Sequence, residues 1–121
     1  MASALMRSPT EDAAQKTASI SNQNDSFRTS FMGGRIMLTN GVNCLAEHDR
    51  RTVLKAVQVF DDFSPVNDPH GEHDFGAITV NESVFFWKID YYDGDLQNGS
   101  PDPADDAVTC RVLTIMRAEE Y

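Results

Sequence analysis

Between residues 75 and 92 the chain alternates between two kinds of position. Phe75 to Val80 and Val84 to Tyr92 read as strands of an antiparallel hairpin around Asn81-Glu82-Ser83. In the second strand Phe85, Trp87, Ile89 and Tyr91 fall on one side, and Val84, Phe86, Lys88, Asp90 and Tyr92 on the other. The first side is apolar or aromatic throughout and is expected to meet the helices. The second begins apolar and ends charged, which predicts a face covered at one end and open at the other.

Elsewhere the period changes. Ile20, Phe27 and Phe31 recur at helical spacing from Ser19 until Gly33-Gly34 stops them. Arg35 to Thr39 reads as a short edge strand closed by the turn pair Asn40-Gly41. A second helix is expected from an N-cap at Asn43, with Ala46, Val53, Ala56, Val57 and Phe60 along one stripe. Asp61 and Asp62 oppose the negative end of a helix dipole and are placed in the following loop. Residues 93–107 form a long acidic loop, and Val108 to Arg117 alternate as a strand, with a helix as the other reading of that segment. Residues 1–18 are small and polar without period and read as a loose tail, leaving 19–121 as one domain. The expected fold is α+β, with two helices on one face of a mostly antiparallel sheet of about four strands.

Charge sharpens this picture. The formal net charge is -9. Residues 1–60 hold seven Lys/Arg and five Asp/Glu, a balance of +2; residues 61–121 hold three and fourteen, a balance of -11. Such a field opposes non-specific contact with nucleic acid and attracts basic surfaces. Cys44 and Cys110 show no metal or redox spacing, and no window is apolar enough for a membrane helix, so a cytoplasmic protein is expected.

Three chemistries are open to these residues. In the first the chain is not an enzyme and needs no cofactor. A basic protein surface is then bound by Glu72, His73, Asp74, Asp90, Tyr92, Asp93, Asp95, Asp102, Asp105 and Asp106, with His73 bracing the turn that begins at Asp68. In the second, His73, Asp74, Glu72 and Asp90 hold a metal for hydrolysis or nuclease work, since imidazole and carboxylate suit Zn or Mn. His70 and His73 lie on a turn, where their spacing does not aim both rings at one point. In the third, Arg35, Arg50, Arg51 and Lys55 share a surface and touch DNA as a small regulator.

Several runs carry a family likeness: Gly-Glu-His-Asp-Phe-Gly (71–76), Phe-Phe-Trp-Lys-Ile-Asp-Tyr-Tyr-Asp (85–93), Gly-Ser-Pro-Asp-Pro-Ala (99–104) and the segment 111–121, with Phe31 to Leu38 and Phe60-Asp-Asp-Phe63. Over residues 26–121 the chain resembles a bacterial domain-of-unknown-function family of small proteins, commonly encoded on plasmids and integrative elements of alphaproteobacteria. The resemblance brings no activity. It implies an accessory role in plasmid maintenance, transfer or evasion of host defence, and an acidic inhibitor that mimics the charge of DNA is the sharpest form of the first chemistry.

Overall fold

A computed structural model describes residues 8–121. The first helix, α1, spans Pro9–Ser30, so it starts ten residues before the expected point. Its start is written in Ser8-Pro9-Thr10-Glu11. Ser8 Oγ accepts from the Glu11 N–H at 3.1 Å, the Glu11 carboxylate accepts from the Ser8 N–H, and Pro9 occupies the first helical position. Hydrophobic period missed this half because it has no buried face to leave one: residues 9–18 are exposed except for half-buried Thr17, and the buried residues of α1, Ile20, Ser21, Asn24, Phe27 and Arg28, all lie further on. Of the expected tail, residues 1–7 lie outside the described residues. The helix ends at Phe31 in the left-handed region, and Gly33 follows with φ 101°.

Strand β1 (Arg35–Leu38) leads into a four-residue helix, α2 (Asn40–Asn43), where a simple turn was expected. Glu120 shapes this corner by accepting from Thr39 Oγ1 at 2.7 Å and from the Gly41 N–H at 2.9 Å. Asn43 therefore closes a helix instead of capping the next one, and α3 runs Glu47–Gln58 from Ala46. Asp61 and Asp62 lie beyond it in the loop, as the dipole argument required. Strands β2 (Phe75–Val80) and β3 (Ser83–Tyr92) are joined by Asn81 and Glu82, both at positive φ, the geometry of a tight hairpin turn. After a 3₁₀ turn at Asp106–Val108, β4 spans Cys110–Arg117, which settles that segment as a strand.

The sheet order is β1-β4-β3-β2, with β1 parallel to β4 and the other pairs antiparallel. The architecture is α+β, as the patterning predicted. Register places Phe85, Trp87 and Ile89 of β3 with Leu113 and Ile115 of β4 on one face, where they are buried with Phe27 of α1, Val42 of α2 and Val53 and Val57 of α3. Removing this apolar surface from water is the main favourable term in folding. On the reverse face Phe75, Phe86 and Tyr121 meet ring against ring at centroid distances of 5.3–6.0 Å, covering one end. No described helix is long and apolar enough to cross a membrane.

Candidate functional site

The turn at residues 68–74 is built inward. Asp68 is buried, and its carboxylate accepts from the His73 N–H at 3.3 Å. His73 adopts φ 56°, a conformation costing about 1 kcal/mol for a residue with a side chain. The surroundings hold it there. Its ring stacks on Phe63 at 3.8 Å with 3° between planes, Nδ1 lies 3.0 Å from both carboxylate oxygens of Asp25, and Nε2 lies 3.6 Å from Asp68. Beneath it, buried Arg28 pairs with Asp25 at 2.9 Å, donates to the Phe60 carbonyl, and sits over the rings of Phe63 and Trp87.

A second knot adjoins the first through neighbouring residues, Asn24 beside Asp25 on α1 and Glu72 beside His73 in the turn. Asn24, fully buried, donates to the Glu72 carbonyl and to the Tyr91 hydroxyl, and the hydroxyl donates to Glu72 Oε1 at 2.7 Å. Burial, then this bond to Glu72, drives the phenol pKa well above its ordinary value. Arg111, 2 % exposed, donates from Nε to Asn24 Oδ1 at 2.8 Å. Burial lowers its pKa, so the guanidinium relies on the oxygens around it. Asp74 is half-buried, and its carboxyl pKa is raised first by burial and then by Glu72.

The residues singled out from sequence thus separate into three places. Glu72, His73 and Asp74 share the inward turn. Asp90 lies on the opposite face of β3, paired with Lys88 at 2.9 Å, with Tyr92 two residues along. Asp93, Asp95, Asp102, Asp105 and Asp106 belong to the long loop. His73 and Asp90 therefore do not converge, and among the described residues no group of three or more His, Cys, Asp or Glu side chains is placed to hold a metal ion. Both ring nitrogens of His73 already face carboxylates. Among the described residues no hydroxyl or thiol is hydrogen-bonded to this ring, so His73 is not paired with a nucleophile. Of the basic residues, Arg51 and Lys55 do share a surface, lining one hollow on α3 with His48, but Arg51 is paired there with Glu47; Arg50 donates to the Asn43 and Leu45 carbonyls, and Arg35 sits on β1.

The long loop is ordered by its own acids. Asp93 Oδ1 accepts from the N–H of Gln97 and Asn98, which holds its carboxyl below the usual range. Asp102 is held low by Lys16 of α1, 3.1 Å away, and accepts from the Ala104 N–H; Asp105 caps the 3₁₀ turn through the Ala107 N–H. Gln23 of α1 donates to the Ala104 carbonyl at 2.7 Å, and Arg111 donates to that of Pro103. Asp95, Asp105 and Asp106 remain exposed.

Sequence reasoning missed Asn24, Asp25, Arg28 and Arg111. The available signal was the spacing of Asn24, Asp25 and Arg28, which puts polar groups on the same helical face as Ile20 and Phe27.

Residues 38–120 match the family described as a protein of unknown function, DUF3768, and the chain belongs to that family. No curated protein and no solved structure matches it. The match begins after α1, so Asn24, Asp25 and Arg28 lie outside it, while Glu72, His73, Tyr91 and Arg111 lie inside.

Proposed function

We propose that this chain is a non-enzymatic accessory protein of the cytoplasm that binds a basic protein surface through the acids of the 93–106 loop. In its sharpest form the partner is a mobile element's target in the host, a surface that ordinarily holds nucleic acid and is occupied here by a mimic of its charge. One observation carries the reading: five carboxylates, three of them exposed, stand on one loop whose backbone is fixed by Asp93, Asp102 and Asp105 and strapped to α1. Preorganised charge of one sign loses little entropy on docking and speeds encounter with its opposite. The occupied ring nitrogens of His73 favour this over hydrolysis, and the engagement of Arg50 with backbone carbonyls and of Arg51 with Glu47 favours it over direct contact with DNA.

The test is fluorescence anisotropy with a labelled polylysine peptide at low salt. Asn in place of Asp93, Asp95, Asp105 and Asp106 removes all four charges while keeping the oxygens by which residues 93 and 105 cap their turns. A control protein removes four charges elsewhere, with Asp61→Asn, Asp62→Asn, Glu82→Gln and Glu119→Gln. The loop set is expected to weaken binding about ten-fold and to flatten its salt dependence, while the control set changes affinity less than about two-fold. Equal losses from both sets would reduce the effect to net charge and end the proposal.

A further inference from the structure

The two edges of the sheet are finished differently. Strand β1 is four residues long, carries Arg35 and runs at once into α2. A short, charged edge of this kind is poorly suited to further pairing. Strand β2, at the other edge, is six residues long, Phe75–Val80, and holds neither a charge nor a proline. Its ladder to β3 runs through the backbones of Gly76, Ile78 and Val80, the alternation fixed by the bond from the Ile89 N–H to the Asp74 carbonyl. The N–H and carbonyl groups of Phe75, Ala77 and Thr79 therefore point outward, and among the described residues nothing is hydrogen-bonded to them. Ala77 and Thr79 are exposed.

This row of free groups is complementary to itself. Set antiparallel to its own copy with Ala77 opposite Ala77, it brings Phe75 of each strand opposite Thr79 of the other, and every outward donor meets an acceptor. The small side chain of Ala77 leaves the centre free of clash. Helix α3 extends the match. Asp49 accepts from Asn81 at one end of β2, and the Phe60 ring lies against Gly76 at the other, so α3 runs antiparallel to β2. Asp49, Thr52, Ala56 and Val59 share the helical flank that this bond turns toward β2, and Val59 is 60 % exposed there. We infer that β2 pairs with β2 of a second copy about a two-fold axis through Ala77, joining two four-stranded sheets into one. That axis sets the two α3 helices antiparallel on one side of the joined sheet. Val59 of each then lies near the axis, and Lys55 of each lies toward Asp61 and Asp62 of the other, both exposed just past the helix. A strand pair alone is a small interface, and this second layer enlarges it. The pairing uses no residue of the 93–106 loop, so its failure would leave the reading above untouched.

Sedimentation velocity and amide hydrogen exchange on the full chain test the pairing residue by residue. The protein is expected to pass from monomer to dimer between about 1 and about 300 μM. Over the same range the Phe75, Ala77 and Thr79 amides are expected to exchange about ten-fold more slowly, while those of Gly76, Ile78 and Val80, bonded to β3 in either state, serve as the reference. Two variants act on the interface alone. Ala77→Lys sets two ammonium groups opposite each other across the axis, and Ala77→Pro removes an N–H that the single chain leaves unbonded, a change edge strands accept. Each is expected to weaken association about ten-fold or more with the far-UV circular dichroism unchanged. A chain still monomeric at about 1 mM, a dimer whose Phe75, Ala77 and Thr79 amides exchange as fast as the monomer's, or a dimer as tight in Ala77→Lys as in the parent would each overturn it.

Discussion

The 68–74 turn and the 93–107 loop are both rich in acid, and they use it in opposite ways. In the turn, Asp68 and the Glu72 side chain point inward, to His73 and Tyr91, and Asp25 of α1 closes the set. In the loop, Asp93, Asp102 and Asp105 each spend one oxygen on a neighbouring backbone N–H and leave the carboxylate near solvent. The difference is one of partner supply. Helix α1 brings Asn24, Asp25 and Arg28 over the turn, whereas over the loop it brings Lys16 and Gln23. Acid count alone therefore says nothing about role; what sits across from each oxygen decides.

The contrast should be easiest to break at Asn24. Asn24→Ala removes the acceptor of Arg111 Nε and the donor to Tyr91 and Glu72 in one step, and is expected to cost roughly 3 kcal/mol because it strands a buried charged donor. Urea denaturation would read this as a lower midpoint at unchanged slope; a loss below about 0.5 kcal/mol would mean that the knot is ornamental. Next comes His73. His73→Ala loses the Asp25 contact and the Phe63 stack and should cost about 2 kcal/mol. His73→Asn should cost about 1 kcal/mol less than that, because Asn tolerates the left-handed backbone. If the two are equal, φ at this position is not what holds the turn.

These effects bear on what could be read beforehand. Elements with a clean two-residue or helical period were legible: β3 with Phe85, Trp87 and Ile89 inside, and the Val53/Val57 stripe; in β4 the alternation was visible, but not that Leu113 and Ile115 face inward. The face of α1 that matters most was not, since Asn24 and Arg28 are buried through partners nearly 50 or more residues away, at Glu72 and Tyr91, and at Phe60 by a nearer reach. Hydropathy carries no information about such partners. The bracing role given to His73 was legible from its place in an Asp-Pro-x-Gly turn. That its brace would be Asp25 was not. Asp90 was grouped with His73 by proximity in sequence, and strand alternation separates them.

The smallest expected effect lies at the far corner, where Glu120 accepts from Thr39, the Arg117 N–H and the Gly41 N–H, which lower its pKa in that order of size. A carboxylate whose pKa falls on folding stabilises the fold above its unfolded value, and that contribution is lost as pH drops through the folded one. Glu120→Gln should therefore lower the melting temperature at neutral pH and leave it unchanged at pH values below the ordinary carboxylate range. A deficit that persisted in acid would assign the effect to packing. This pH signature belongs to an outward acid that ties the chain's end to the β1–α2 corner, where the loop acids tie only their own neighbours.

Helix α1 lies outside the span that matches the family, yet it completes the interior which that span builds. Within the span Phe60 and Phe63 already pack edge-on against Trp87, and Val53 and Val57 join the same core. What α1 adds is polar: Asn24 answers the Arg111 guanidinium and the Tyr91 hydroxyl. Cut back to the matched span, this chain would keep most of its oily floor and strand a buried positive charge.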